Sequence, residues 1–313
     1  MPEGDSMELG LIGLGKMGGN MARRLIRAGH RIVVFDREIS AMQTLEAEGA
    51  VPVERPEQLV DRLRPPRTVW VMLPAGPATD SMVGDLCTLL SHGDAIVDGS
   101  NSYYMDSMRR AASAAERGIV VLDVGVSGGV WGLEGGYCLM AGGNREAYKR
   151  LEPIFQSLAP SPDNGYVYVG KAGTGHYVKM VHNAIEYGMM EAYAEGFELL
   201  QHKAEFDLDL TEIARAWQYG SVVRSWLLEL ATRALEDDPG LSRIESYVPD
   251  SGEGRWAVAE AVEQGIPAPI ITLALQQRFR SRQEAPFAGR MLAALREQFG
   301  GHTARRHNAD TRQ

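Results

Sequence analysis

The 313-residue chain is 44% hydrophobic and 23% charged and carries 35 glycines, a composition that excludes a disordered, collagen-like or disulfide-stapled polypeptide. Its length predicts two domains, each able to bury its own core. With 32 Lys and Arg against 41 Asp and Glu, the formal charge is −9, without the basic excess that a nucleic-acid partner demands.

Cys87 and Cys138 are the only cysteines. Neither sits in a CxxC pair or a Cys/His cluster, which argues against a zinc site and against a secreted disulfide framework. The amino-terminal MPEGDSMELG has no basic stretch followed by an apolar run, and no segment reaches the ~18 apolar residues of a membrane span. A cytoplasmic, membrane-independent protein is expected. Residues 1–6 and 303–313 read as polar tails.

In chain order, ELGLIGL from Glu8 reads as a first strand, residues 17–28 as a helix, and RIVVF from Arg31 as a second strand. Short apolar runs follow at TVWVML (68–73), DAIVDG (94–99), IVVLDV (119–124) and YCLMAG (137–142), with helix-compatible segments at 79–90 and 103–117 between them. Strands alternating with helices predict a parallel sheet built from right-handed crossovers. After Gly170 the strand-like runs stop and helical periodicity takes over, beginning with a long segment at 175–203. Pro239-Gly240, Pro249, Pro267 and Pro269 divide the remainder into four or five helices.

Between the first strand and the first helix lies Gly13-Leu14-Gly15-Lys16-Met17-Gly18, a GxGxxG loop. In that position the first Gly permits a tight turn, the second lets backbone approach a pyrophosphate, and the third allows close helix packing, with helix N–H groups aimed at the anion. This predicts an α/β fold: a Rossmann-type doubly wound, dinucleotide-binding domain over 1–172, followed by an all-α domain over 173–313 for substrate binding and oligomerisation. Asp36 ends the second strand 18 residues after Gly18, close to the ~20 expected of an acid that binds the ribose 2′-hydroxyl. Its charge favours NAD, with NADP the second choice because Arg37 stands beside it.

Ligands of such sheets sit beyond the carboxyl ends of the strands. Leu73-Pro74-Ala75-Gly76, Asp98-Gly99-Ser100-Asn101 and Val126-Ser127-Gly128-Gly129 are therefore expected to line one crevice, with Asn101 and Ser127 offering hydrogen bonds.

In GTGHYVKMVHNAIEYGMMEAYAEG (173–196), Lys179, Asn183 and Glu186 fall at i, i+4 and i+7, which puts an amine, an amide and a carboxylate along one helix face. Val178, Met180, Val181, Ile185 and Met189 around them predict a largely buried helix. Burial would move the lysine toward the working range of a general base. There is no HExxH, no metal-spaced His pair and no DxDxDG loop, so no metal is expected.

The residues resemble the 6-phosphogluconate dehydrogenase family, within the wider β-hydroxyacid dehydrogenase group. GLIGLGKMGGNMARRL (10–25), DGSNSYY (98–104), GVSGG (125–129), GHYVKMVHNAIEYG (175–188) and FGGH (299–302) look like its successive motifs, and KMVHNxIEYG is the most specific of them. The resemblance implies that Lys179 is the general base, Glu186 the acid and Asn183 their companion, in oxidative decarboxylation of 6-phosphogluconate to ribulose 5-phosphate. It also implies that Asn101, Ser127, Gly128, Gly129, His182 and Asn183 hold the sugar acid, while Tyr187, Arg255 and Arg278 face its phosphate. Arg296 and His302 fit a tail motif contributed by a neighbouring subunit.

Long members carry an acidic pair after Gly129, where this chain has Val130-Trp131. The chain resembles the short form associated with NAD, which implies a homodimer or homotetramer with shared active sites. Residues 276–313 hold eight Arg, no Lys and three acids, a basic end suited to an anionic substrate. Two other readings stay open on the residues alone: a dehydrogenase of another 3-hydroxy acid, such as a hydroxyisobutyrate-like compound, and a silent dinucleotide-binding sensor.

Overall fold

The computed structural model describes residues 6–300 and Arg305. In chain order, β1 (Glu8–Ile12), α1 (Lys16–Arg27), β2 (Arg31–Phe35), α2 (Ile39–Glu46), β3 (Val51–Pro52), α3 (Pro56–Asp61), β4 (Thr68–Val71), α4 (Pro77–Leu89), β5 (Ala95–Asp98), α5 (Tyr104–Ala115) and β6 (Val120–Ser127) alternate strictly. The short α6 (Gly132–Gly135) then leads to β7 (Cys138–Gly143), α7 (Arg145–Arg150), α8 (Glu152–Leu158) and β8 (Tyr166–Gly170). All eight strands form one sheet in the order β3-β2-β1-β4-β5-β6-β7-β8.

The pairing corrects one expectation. The sheet is parallel except between β6 and β7, which run antiparallel, with Ser127 opposite Cys138 and Leu122 opposite Gly143. The connection from Ser127 to Cys138 holds only one 3-10 turn and α6, too little chain for the crossover a parallel neighbour needs. β8 then pairs parallel to β7.

Both faces of the sheet are covered, and the strands divide their apolar residues between two cores. Leu9, Leu11, Ile32, Val34, Trp70, Leu122 and Val124 pack with Phe155 on one face. Ile12, Val33, Val69, Val71, Ile96 and Val121 pack with Leu59 and Leu86 on the other. This is the period of two that a β-strand imposes, and each such side chain fully removed from water contributes about 1.5–3 kcal/mol.

Beyond the sheet come α9 (Thr174–His202), α10 (Leu210–Trp217), α11 (Trp226–Asp237), α12 (Glu253–Glu263), α13 (Pro269–Arg280) and α14 (Phe287–Gly300). Asp209 caps α10 by accepting the Glu212 N–H, and Ser225 caps α11 by accepting the Leu228 N–H, as short polar side chains do at helix starts. The chain divides into two compact units, 1–184 and 185–313. The first unit therefore reaches into α9, past the boundary at residue 172, because α9 begins seated on the sheet: a Cβ on Gly175 would lie 2.1 Å from the Asp123 carbonyl oxygen. No helix among the described residues is long and apolar enough to cross a membrane.

Candidate active site

The glycine loop opens into a cleft of about 780 Å³ at the carboxyl ends of β1, β2, β4 and β5. Gly13 has φ +94°, a conformation natural to glycine, and a Cβ there would lie 2.6 Å from the Met72 carbonyl oxygen. A Cβ on Gly18 would lie 1.9 Å from the Gly13 carbonyl oxygen, so any larger residue separates helix from loop, whereas one on Gly15 would meet nothing within 4 Å. Gly15 is also the N-cap of α1, without a side-chain cap and without an acid in the first turn. The helix thus presents its unpaired N–H groups, and its positive end, to open space. This cradle fits a dinucleotide pyrophosphate.

Asp36 is half-buried, and both of its oxygens accept backbone N–H groups. Its Oδ2 accepts the Leu14 N–H at 2.5 Å and its Oδ1 the Glu38 N–H at 2.8 Å, so one carboxylate ties the second strand end to the glycine loop while retaining further lone pairs for a ligand. Gly13, Gly15, Lys16, Met17, Gly18, Asp36, Arg37, Leu73, Pro74 and Asn101 line the cleft. Ala75 is not among the lining residues; instead Ala78, Ser81 and Met82 from α4, with Met72 and Gly99, complete the wall. The sequence signal for the three α4 residues was the helix start immediately after Gly76.

The loop after β5 is braced from below. Asp98 is fully buried and receives Arg110 Nη1 at 2.7 Å and the Ser100 hydroxyl at 2.5 Å. Asn101 (φ +54°) turns its amide onto Val126, accepting that residue's N–H at 2.9 Å and donating to its carbonyl at 3.1 Å. Asn101 thereby fastens a wall of the nucleotide cleft to β6.

On the other side of β6, Lys179 is only 5% exposed. Its Nζ donates to Asn183 Oδ1 at 2.6 Å, His182 Nδ1 lies 3.1 Å from the same oxygen, and Ser127 Oγ lies 3.5 Å from His182 Nε2. Lys179, Asn183, His182 and Ser127 are thus one hydrogen-bonded group, followed along α9 by the half-buried Glu186. The turn at Gly128 (φ +128°) and Gly129 (φ +55°) needs glycine conformations.

Sequence reasoning missed the support of this group. Asp123, 1% exposed, accepts the Gly173 N–H at 2.7 Å and the His176 N–H at 2.9 Å. Burial pushes its carboxyl above the ordinary range, opposed by His176 and by the two N–H groups. His176, also 1% exposed, places Nδ1 2.7 Å from Ser107 Oγ.

The face around these residues differs from expectation. Met180 and Ala184 are buried, but Val178, Val181, Ile185 and Met189 are 36%, 36%, 53% and 40% exposed. An i, i+3, i+4 pattern marks which residues seek cover and cannot say whether the same chain supplies it.

Within the second unit, Tyr187, Arg255 and Arg278 come together. Tyr187 is 5% exposed, its ring lies 3.5 Å beneath the Arg278 guanidinium, and a Cβ on Gly254 would lie 2.6 Å from that ring. Arg255 grips Asp250 through two bonds of 2.7 and 3.0 Å, and Arg282 adds a third of 2.6 Å. These partners, Arg255 foremost, hold the Asp250 carboxyl down to about 2. Arg296 lies exposed on α14, and His302 lies outside the described residues.

A Rossmann-type cleft that fits a dinucleotide, backed by a strand against which a helix holds a buried lysine beside an amide, defines a nicotinamide-dependent dehydrogenase. The family model described as the NAD binding domain of 6-phosphogluconate dehydrogenase matches residues 8–170, and the model for the C-terminal domain of that enzyme matches 175–288. The chain belongs to the 6-phosphogluconate dehydrogenase family. The NAD(+)-dependent, decarboxylating 6-phosphogluconate dehydrogenase of Haloferax volcanii is 44% identical over 301 residues, 96% of this chain and 99% of its own. A Bacillus subtilis chain assigned to 6-phosphogluconate dehydrogenase is 44% identical over 296 residues, 95% of this chain and 98% of its own. The Plasmodium falciparum 6-phosphogluconate dehydrogenase, solved with NADP+ and with 6-phosphogluconate, superposes with a TM-score of 0.81 at 30% identity, over 97% of this chain and 67% of that one.

Proposed function

We propose that this chain oxidises and decarboxylates 6-phosphogluconate to ribulose 5-phosphate and CO2, with NAD as the preferred acceptor. The observation that carries the proposal is Lys179: an amine 5% exposed, 2.6 Å from Asn183 Oδ1, on a helix seated against the strand that Asn101 ties to the nucleotide cleft.

In this reading Lys179 takes the proton of the substrate 3-hydroxyl. The nicotinamide supplies the hydride acceptor for C3. The resulting β-keto acid loses its C1 carboxylate as CO2, because the C3 ketone accepts the electron pair of the breaking bond. Lys179, now an ammonium, donates to that oxygen as it takes on enolate charge, and Glu186 returns a proton to the substrate's former C2, which becomes C1 of the ketose. Asn183, with His182 beside it, orients the amine. Asn101, Ser127, Gly128, Gly129, His182 and Asn183 hold the sugar acid, and Tyr187, Arg255 and Arg278 hold its phosphate through charge-assisted bonds. Asp36 selects NAD by repelling a 2′-phosphate. Arg296 and His302 are assigned to a neighbouring subunit's site.

The exposed apolar residues of the second unit, among them Ile270 at 66%, Leu273 at 57%, Phe287 at 66% and Leu292 at 64%, support a homodimer or homotetramer with shared sites. The protein is assigned to the cytoplasm. A Lys179→Ala variant tests the chemistry: it keeps NAD affinity and loses turnover by several orders of magnitude. A variant that retains turnover removes Lys179 from the reaction.

A further inference from the structure

The seat of α9 on the sheet is smooth. Gly125 and Gly142 on the strands and Gly175 on the helix allow very close approach: a Cβ on Gly125 would lie 2.4 Å from the Lys179 Cβ, and one on Gly142 would lie 2.6 Å from the Gly175 nitrogen. Apolar contact without interlocking side chains is non-directional, so this surface permits approach without fixing where along β6 the helix stops. Two directional contacts are present at its start. The Asp123 carboxylate takes the Gly173 and His176 N–H groups at 2.7 and 2.9 Å, and His176 Nδ1 lies 2.7 Å from Ser107 Oγ of α5.

Along β6, Asp123, Gly125 and Ser127 share one face, and they meet His176, Lys179 and His182 of α9 in the same order. A shift at Asp123 therefore reaches Lys179 one helical turn away. Taking Lys179 as the base of the proposed reaction, we infer that Asp123, keyed by His176 and Ser107, is the positioning residue that sets the register of α9 on β6 and so places the Lys179 amine. Asp123 is 1% exposed and gives both oxygens to backbone N–H groups, so it acts through α9. The carboxylate suits this place because it sets one protonless oxygen against each N–H group, Oδ1 on Gly173 and Oδ2 on His176.

The test is Asp123→Asn, whose amide accepts from one N–H and presents its own protons to the other. Ser107→Ala is the second variant, and Leu158→Ala, in the core at α8, is the control for lost stability. For Asp123→Asn, kcat with 6-phosphogluconate falls about a hundredfold, as misplacement by about 1 Å can cause. The dissociation constant for NAD and the KM for substrate stay within about threefold of wild type. Hydrogen exchange accelerates at residues 173–177, and Lys179 acetylation by acetic anhydride, followed by mass spectrometry, changes rate. Ser107→Ala lowers kcat about tenfold with the same split, and Leu158→Ala keeps kcat.

The inference is overturned by an Asp123→Asn kcat within about threefold of wild type, by parallel loss of NAD binding, or by a Leu158→Ala variant that loses kcat equally. If Asp123→Asn does not fold, a Ser107→Ala variant with unchanged kcat and unchanged exchange overturns it. If wild type does not turn over 6-phosphogluconate, the proposed function fails, while exchange and acetylation in the variants still decide the positioning claim.

Discussion

Removing the Asp36 side chain has two opposed consequences. In Asp36→Ala the Leu14 N–H, in the part-buried glycine loop, loses an acceptor at 2.5 Å, and the exposed Glu38 N–H loses one at 2.8 Å. A hydrogen bond to a charged acceptor contributes about 1.5–3 kcal/mol, and the exposed Glu38 bond is readily replaced by water, so the loop loses about 2 kcal/mol of ordering. At about 1.4 kcal/mol per tenfold, kcat/KM for NAD falls about 30-fold. NADP loses the same loop order but also escapes a like charge: at an effective dielectric of about 20–80, a unit negative charge about 5 Å from the carboxylate costs about 1–3 kcal/mol. Its kcat/KM therefore changes little, and the NAD to NADP ratio moves about ten- to a hundredfold toward NADP. Asp36→Asn separates the two effects, because it removes the charge and keeps one acceptor. Initial rates with both cofactors at one fixed ionic strength measure the ratio, since screening alters the repulsion. A ratio that moves less than about threefold in both variants refutes the role of Asp36 and transfers cofactor choice to other groups, Arg37 first.

Gly125→Ala places a methyl 2.4 Å from the Lys179 Cβ; kcat falls about a hundredfold while NAD affinity, measured by fluorescence titration, stays near wild type. Gly18→Ala drives a methyl to 1.9 Å from the Gly13 carbonyl oxygen and abolishes NAD binding in the same titration. Asp250, held at about 2 from an ordinary 3.8, has a folded-state value below its unfolded one. Its contribution is complete above about pH 4 and is lost as pH falls toward 2, about 1–2 kcal/mol after allowance for the exposed side of its Arg255 partner. Thermal unfolding between those pH values shows a smaller acid-induced loss in Asp250→Asn than in wild type; equal losses contradict the pairing.

Local chemistry was legible in the sequence. The glycine loop, Asp36 at its strand end and the Lys179, Asn183 and Glu186 spacing all reduce to backbone conformation and helix or strand period, which neighbours in sequence carry. The direction of β7 was not read, because an apolar run has no polarity; the short link from Ser127 to Cys138 carried that information. The strand Val51–Pro52 is too short for any period to register, and Tyr166–Gly170 mixes tyrosines into its alternation. Asp123 and Ser107 escaped for another reason. Their partners lie 50 to 69 residues away, and an acid inside an apolar strand shows no local sign of which N–H groups it will meet. The exposure of Val178, Val181, Ile185 and Met189 belongs to the same class, since periodicity marks a face and leaves its cover unspecified.

The role proposed for the Lys179 group rests on turnover of a phosphorylated sugar acid with NAD. Its most direct measurement follows the absorbance of reduced nicotinamide together with released CO2, using 6-phosphogluconate, gluconate and 3-hydroxyisobutyrate in parallel, each with NAD and with NADP. Equimolar NADH and CO2 are expected from 6-phosphogluconate, with kcat/KM at least about a hundredfold above either unphosphorylated acid. Preference for an unphosphorylated acid, or reduction of NAD without release of CO2, would contradict it.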